Sequence, residues 1–538
     1  MRKPDARLFT GGWALLACLL AGAIYAMQKG QDSSWDLKNY HLYNAWAFFH
    51  DRLTIDLGPV GLQGFFNPLL DLPYFCLGTG WLHRWPRALS GVQGLWYGAL
   101  VFVVIRIAAR FAQIRGRAFG YVDLLAVAVG VTGTMVLSQA GTSTNEVPLA
   151  LLVMLGFYVL LPAAASASGA PSAAVRQALV AGFLCGLAAG LKPTAVVYTP
   201  AMAAALWLAG GGRVAAFKLS VIFAGAAFVA FLAAYGWWGW RLYQLTGNPV
   251  FPLFNQVFHS PWVPPVGGTD RQFMPKDIWQ WLFYPFYWVR RNAYQGGNMF
   301  ADSRYAVAMI AAAVLALVAC TARARQAAGA PAVRFLLLFL IFSYVFWLNL
   351  YSILRYAVPF EVLTGLLILF GLEEAIAAVR DVESKRWTIW MMTVATALML
   401  GFTRYPDWGH SPYAAVAFDV QPPLIALDST VLIVGQPNAY IVPFFPHATL
   451  SRFVGVSWLS AGAEHFHLGE LTREAIRNHT GLLYAVTRDV NSEDQAQLLR
   501  ILPGSHLAYC QPIVTAMERT LRGTDLSDGL RLCRVVQT

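Results

Sequence analysis

The sequence predicts an all-α polytopic membrane protein of about eleven transmembrane helices, N-terminus inside and C-terminus outside, with a C-terminal extracytoplasmic α/β domain. Three observations predict it. Charged residues make up 12% of the 538 positions and apolar ones 57%, whereas a soluble globular chain carries about 25% charged residues. Apolar runs long enough to cross a bilayer recur as far as residue 403. Beyond it the pattern changes to short strands alternating with helices.

The first run, 8–27, follows the basic segment Met1–Thr10. The small-residue pattern of a signal-peptide cleavage site is poor and many runs follow, so this one reads as an uncleaved first helix. The others fall near 88–109, 121–140, 147–162, 177–191, 194–210, 217–237, 305–321, 334–350, 357–372 and 387–403, with Lys192-Pro193 dividing two short ones. The 19 Trp and 22 Tyr fit the aromatic belts of a membrane protein.

Lys and Arg in the loops set the orientation. Arg2, Lys3 and Arg7, Arg110, Arg115 and Arg117, Arg176, Arg213 and Lys218, Arg323, Arg325 and Arg334, and Arg380, Lys385 and Arg386 all fall on one side, which is therefore cytoplasmic. This placement accounts for the net charge of +11 without a nucleic-acid partner. Residues 1–403 become the transmembrane domain, with outside loops 28–87 and 238–304, and 404–538 the outside α/β domain. The Ala/Ser/Gly/Pro run near 163–174 reads as a flexible cytoplasmic loop, and no internal repeat is found.

In the tail, strands are expected at Thr430–Gly435, Arg452–Leu459, Leu482–Asp489, His506–Val514 and Leu530–Gln537, with helices at Leu471–His479 and Glu493–Leu502. Of the six cysteines, Cys18, Cys76, Cys185 and Cys320 lie in or beside spans and read as small apolar residues. Cys510 and Cys533 stand on separate expected strands outside the membrane, where a disulfide is permitted, and are expected to pair. No cysteine spacing is that of a metal site.

The first outside loop, Gln31–Tyr74, concentrates acids and hydrogen-bonding side chains far beyond what a connector needs. A helix over Leu37–His50 puts Asp36, Tyr40 and Asn44 on one face by i, i+4 spacing. Asp36, its desolvation tuned by aromatics, suits general-base work on a hydroxyl; the bland reading is a solvated loop acid. Asp32, Asp51 and Asp56 read as structural. His41 reads as a proton carrier or hydrogen-bond donor, or as a packing residue. Asn67 and Asp71 line a pocket or simply cap a turn. Glu146 is a second catalytic-site carboxylate or a helix-start acid favoured by the dipole. Lys192 and Arg355 break the charge asymmetry on the outer side, which calls for an anion such as a lipid phosphate, or else they snorkel to headgroups. Arg290-Arg291, after the aromatic run WQWLFYPFYWV, could do the same from a segment lying on the membrane. Thr246–Asn255 reads as a rigid Gly/Pro loop.

Taken together, Asp36 with Tyr40-His41, Glu146, the string GNPVFPLFN and the string beginning at Arg355, RYAVP, resemble the GT-C superfamily of polyprenyl-phosphate-sugar-dependent membrane glycosyltransferases, of mannosyltransferase or aminoarabinose-transferase type. The resemblance covers the chain to about Phe370. It implies a multi-pass protein of a bacterial inner membrane with its active site on the periplasmic face. It also implies inverting transfer, with Asp36 as base, Glu146 as second acid, Tyr40, His41 and Asn67 at the substrates, and Arg355, Lys192 and Arg290 at the lipid phosphate. The donor is a polyprenyl-phosphate sugar and the acceptor a glycan, lipid or protein hydroxyl. No acid pair adjoins Asp36, so no obligatory metal is expected, although a divalent cation is possible. Two other readings are a flippase of lipid-linked sugar, which would place charges near the bilayer midplane, and an O-antigen ligase or polymerase, with its catalytic loop later in the chain.

Overall fold

The computed structural model describes residues 11–165, 171–267, 270–290, 293–295, 298–318, 330–379, 384–456, 464–488, 493–519, 521 and 529–537. A helix overlaps each expected span: α1 (Gly12–Lys29), α2 (Pro86–Ile114), α3 (Tyr121–Val131), α4 (Glu146–Ala165), α5 (Pro171–Leu191), α6 (Tyr198–Ala209), α7 (Val214–Thr246), α8 (Arg304–Val318), α9 (Ala330–Leu350), α10 (Thr364–Val379) and α11 (Ser384–Phe402). Among the described residues six helices, α1, α2, α4, α5, α7 and α9, are long and apolar enough to cross a membrane. The helices α3, α6 and α8 are apolar but shorter, and α10 and α11 fall short of that test. Arg2, Lys3, Arg7, Arg323, Arg325, Arg380, Cys320 and residues 166–170 of the run near 163–174 lie outside the described residues.

Three expected spans are broken. The run 121–140 stops at Val131, turns through Gly133 and resumes over Thr134–Ser138. The run 194–210 opens as a tight turn, Pro193–Val197, because a proline ring suits a first turn and not a helix interior. Before α10 the chain makes a tight turn, Leu354–Ala357, and a single helical turn, Val358–Glu361. Asn145, Lys192 and Arg355, all outside the long helices, line one cavity.

Helices α5 and α7 pack closely enough to exclude side chains from their seam. A Cβ on Gly186 would lie 2.0 Å from the Ala227 carbonyl oxygen, and one on Gly182 would lie 2.2 Å from that of Phe223. Small residues spaced four apart permit this approach. Asn67 from the first loop closes the end of the seam, donating from Nδ2 to the carbonyls of Gly190 (2.9 Å) and Ala234 (3.1 Å).

The tail carries the expected sheet. Its strands are β1 (Thr430–Ile433), β2 (Arg452–Gly455), β3 (Leu483–Thr487), β4 (Ser505–Pro512) and β5 (Arg531–Gln537), in the order β2-β1-β3-β5-β4. Strand β1 runs parallel to β2 and β3, and β5 runs antiparallel to β3 and β4. Helices His467–Arg477 and Glu493–Ile501 provide the connections. Residues 457–459 of the expected second strand lie outside the described residues. Cys510 on β4 and Cys533 on β5 form a disulfide.

The tail does not keep its core to itself. Leu37, Tyr40, Tyr43 and Trp46 of the first loop pack in one apolar cluster with Val431, Tyr440, Phe453 and Leu532. Asp56 joins the two segments: it accepts from Tyr43 Oη (2.8 Å), Arg52 Nη2 (2.6 Å) and the Phe453 amide (2.9 Å). Arg52 goes on to the carbonyls of Thr449 and Ser451. Asp32 accepts from the amides of Ser34 and Ser143, and Gln31–Asp32 pairs with His410–Ser411. Buried acids satisfied in this way are framework. Asp51 lies outside it, in an exposed ion pair with Arg241.

Candidate active site

The segment after Ser34 is built differently from the expected helix, and the difference decides which side chains share a wall. Leu37–His41 forms a single π-helical turn, closed by the Leu42 amide donating to the Leu37 carbonyl, before a regular helix runs from Leu42 to Phe49. A π-turn inserts one extra residue, so everything after it rotates by about 100° relative to an unbroken helix. Asp36, Tyr40 and His41 therefore line one cavity of about 620 Å³. Asn44 turns away and donates to the Gln63 carbonyl (3.0 Å).

The cavity collects segments distant in the chain. Asn67 and Asp71 reach it from the first loop, Lys192 from the end of α5, Tyr351, Arg355 and Tyr356 from the turn after α9, and Trp408 from the start of the tail. Asp270, Gln272 and Phe273 of the second outside loop close another side, and Leu253 brings in the GNPVFPLFN string. Asn67 has both roles left open by the sequence, because it lines the cavity and caps the turn Pro68–Leu70 through the Leu69 amide (3.2 Å). Arg290 is not among the lining residues; it is exposed and lies 5.8 Å from the Tyr287 ring. Arg291 lies outside the described residues.

Lys192 and Arg355 both meet carboxylates. Arg355 Nη1 lies 2.8 Å from Asp36 Oδ2, an ion contact without the alignment of a hydrogen bond. Lys192 Nζ donates to Glu146 Oε1 (2.5 Å) and to the Thr144 carbonyl (2.9 Å). The Tyr356 ring stands between the cations, 5.7 Å from the Arg355 guanidinium and 5.8 Å from Lys192 Nζ, and Trp408 lies 5.5 Å from Arg355 on another side. Snorkelling to headgroups does not describe cations held this way, with 17% and 12% of their side chains exposed.

Burial alone would push the Asp36 carboxyl up. The Arg355 guanidinium first, then His41, Lys192 and the Tyr40 hydroxyl, together outweigh it, and the group is held below the usual carboxylate range. Asp36 is thus ionised but engaged. Asp36 and Arg355, given separate expected roles in the sequence, are in contact.

A second polar chain lies beside the first. His41 Nδ1 is 2.6 Å from Asp71 Oδ1, which also accepts from Asn145 Nδ2 (2.9 Å). Asn145 adopts a left-handed conformation, φ 71°, which asparagine tolerates better than most residues. The Nε2 of His41, Oε2 of Glu146 and Oδ2 of Asp36 are buried without hydrogen-bond partners among the described residues. Among those residues no group of three His, Cys, Asp or Glu side chains comes together that could hold a metal ion.

Sequence reasoning missed Tyr351, Tyr356 and Trp408. The two tyrosines flank Arg355 in YSILRYAVP, so their proximity to it was readable. Trp408 follows the last span, where nothing in its spacing ties it to residues far back in the chain.

No protein-family model matches the chain, and no curated protein matches it. Among solved structures, the chain is similar to the crystal structure of ArnT from Cupriavidus metallidurans bound to undecaprenyl phosphate, at 13% identity, with 97% of this chain and 98% of that chain covered and a TM-score of 0.49.

Proposed function

We propose that this chain is an integral-membrane glycosyltransferase of GT-C type that moves a sugar, with inversion, from a polyprenyl-phosphate donor to an acceptor hydroxyl on the extracytoplasmic face. One observation carries the reading: a roomy cavity whose wall holds two cations around one aromatic ring, each cation held by an acid. Cations on a partly dry wall stabilise a leaving phosphate more strongly than they would in water. Arg355 offers a planar fork for its oxygens and Lys192 a point charge beside it. Trp35, Tyr40, Phe66, Tyr356 and Trp408 provide aromatic faces for the sugar.

The acceptor oxygen attacks the anomeric carbon as the carbon–oxygen bond to the phosphate breaks. The electron pair leaves with the lipid phosphate, where Arg355 and Lys192 meet it. Asp36, expected as the base, is engaged by Arg355; in this reading it orients the guanidinium and Glu146 does the same for Lys192. The outer sidedness rests on the loop cations: Lys192 and Tyr351 of the cavity follow α5 and α9, whose other ends carry Arg176 and Arg334.

The test is transfer of labelled sugar from synthetic polyprenyl-phosphate donors by purified protein in proteoliposomes. Transfer by the wild type, with Arg355→Ala slower by about 10²–10³-fold, is the expected result. Movement of lipid-linked sugar across the bilayer with no transfer would replace this reading with a flippase.

A further inference from the structure

We propose that His41 is the proton acceptor of this reaction, and that Asp71 and Asn145 are its positioning residues; the proposal rests on the transferase reading above. The geometry is that of an oriented imidazole. Nδ1 sits 2.6 Å from Asp71 Oδ1, close enough to fix the tautomer that carries its hydrogen there and leaves Nε2 with a lone pair. Asn145 donates to the same carboxylate oxygen at 2.9 Å and holds it in place. The Tyr40 ring packs against the imidazole at 4.2 Å between centroids. The residue lines the 620 Å³ cavity, yet its Nε2 has no hydrogen-bond partner among the described residues.

A buried nitrogen with no partner is costly in a finished core. It is expected in a site whose partner arrives with the substrate, and a hydroxyl entering the cavity supplies that partner. Asp36 is less suited, because its charge is committed to Arg355. The step balances: the acceptor O–H proton goes to His41 Nε2 and the acceptor oxygen bonds to the anomeric carbon. The carbon–phosphate-oxygen bond breaks, and the resulting imidazolium returns its proton to solvent or to the departing phosphate.

The other titratable and charged groups on the cavity wall are Asp36 and Tyr40 on the same turn, Asp71, Asp270, Lys192, Arg355, Tyr351 and Tyr356, with Glu146 behind Lys192. Carboxylic acids ionise in a lower range and phenols, amines and guanidines in a higher one, whereas imidazole is the class that ionises near neutrality. An activity limb is therefore assigned by which substitution removes it, and it must vanish in His41→Gln.

The experiment measures kcat/KM against pH with labelled polyprenyl-phosphate donor for wild type, His41→Gln, His41→Ala with and without added imidazole, Asp71→Asn and Asp36→Asn. Wild type is expected to lose activity as pH falls, because a proton acceptor must be unprotonated to act. His41→Gln should be slower by about 10²–10⁴-fold and lack the limb, and imidazole should restore part of the His41→Ala rate. Asp71→Asn should keep a limb moved to lower pH, since the imidazolium loses its carboxylate; a purely structural Asp71 would lower the rate without moving it. An active wild type with His41→Gln at full rate, or with a limb that disappears in Asp36→Asn and persists in His41→Gln, overturns the assignment and leaves the transferase reading standing. A wild type that transfers from no donor overturns both. If His41→Gln fails to fold, the Asp71→Asn shift and the imidazole rescue decide.

Discussion

Arg355→Ala should act on stability and on donor use together, and the size of the stability effect follows from the Asp36 contact. At 2.8 Å and an effective dielectric of about 20, the gross attraction is about 6 kcal/mol. Desolvation of both groups offsets much of it, so the pair contributes far less than that net. Removing one partner is another matter, since it strands a buried charge and costs about 3–5 kcal/mol. Asp36 is 5% exposed by side chain and fits that case. Asp36→Asn alone strands Arg355, and the double variant strands neither. Unfolding in mixed detergent micelles should therefore give a double variant less destabilised than the sum of the singles, by about 2–3 kcal/mol. The pH response should follow the same contact. The folded-state pKa of Asp36 is depressed, so its stabilisation is fully present above the unfolded value of about 3.9 and lost as pH falls through the folded one. In Arg355→Ala the largest opposing attraction is gone, and Asp36 should protonate at higher pH than in wild type. Single variants that add to within about 0.5 kcal/mol would refute the argument, because no mutual dependence of the two charges would remain.

Two further outcomes follow from the frame around the cavity. Gly186→Val places a Cβ only 2.0 Å from the Ala227 carbonyl oxygen; the seam should open at a cost of about 1–3 kcal/mol, read as a lower unfolding midpoint, and unchanged unfolding would show that α5 and α7 do not pack this way. Glu518 is buried, which alone would raise its pKa, but Arg488 first and then Lys38 and Tyr440 outweigh burial and hold it below the usual range. The stabilisation it provides between loop and tail is present above about pH 4.3 and lost as pH falls through the folded value. Thermal unfolding of wild type between pH 6 and 3, where about 4.3 is the ordinary glutamate value, should thus fall more steeply than that of Glu518→Gln; equal slopes would contradict the clamp.

Most of the helical framework was legible because it depends on one-dimensional quantities. Apolar length and loop charge located a helix near every expected span, and alternation located all five strands of the sheet. What the sequence could not convey was how much of the first loop belongs to the tail. Tyr43, Trp46 and Asp56 looked like loop residues, yet their partners are Phe453, Val431 and Tyr440, about four hundred residues later. Pairing over that distance has no local signature. Breaks within spans were half legible: Pro193 announced one, while the turn at Gly133 lies inside a run whose hydropathy never falters.

The site shows the same division more sharply. Charge-asymmetry reasoning picked out Lys192 and Arg355, because a cation on the wrong side of a membrane protein needs a reason. It did not foresee that each would already hold an acid, since pairing depends on where broken helices deliver their ends. The i, i+4 rule grouped Asp36, Tyr40 and Asn44, and one extra residue in a π-turn replaced Asn44 with His41. That substitution changes the chemistry the wall can offer. An unbroken helix would present a carboxylate and an amide, and the wide turn presents a carboxylate beside an imidazole already gripped by Asp71. In the proposed reaction acid and imidazole divide the work, Asp36 keeping the Arg355 guanidinium in place while His41 takes the proton. The π-turn at this position thus decides which side chains share the cavity wall, and under the proposal above that choice supplies the base.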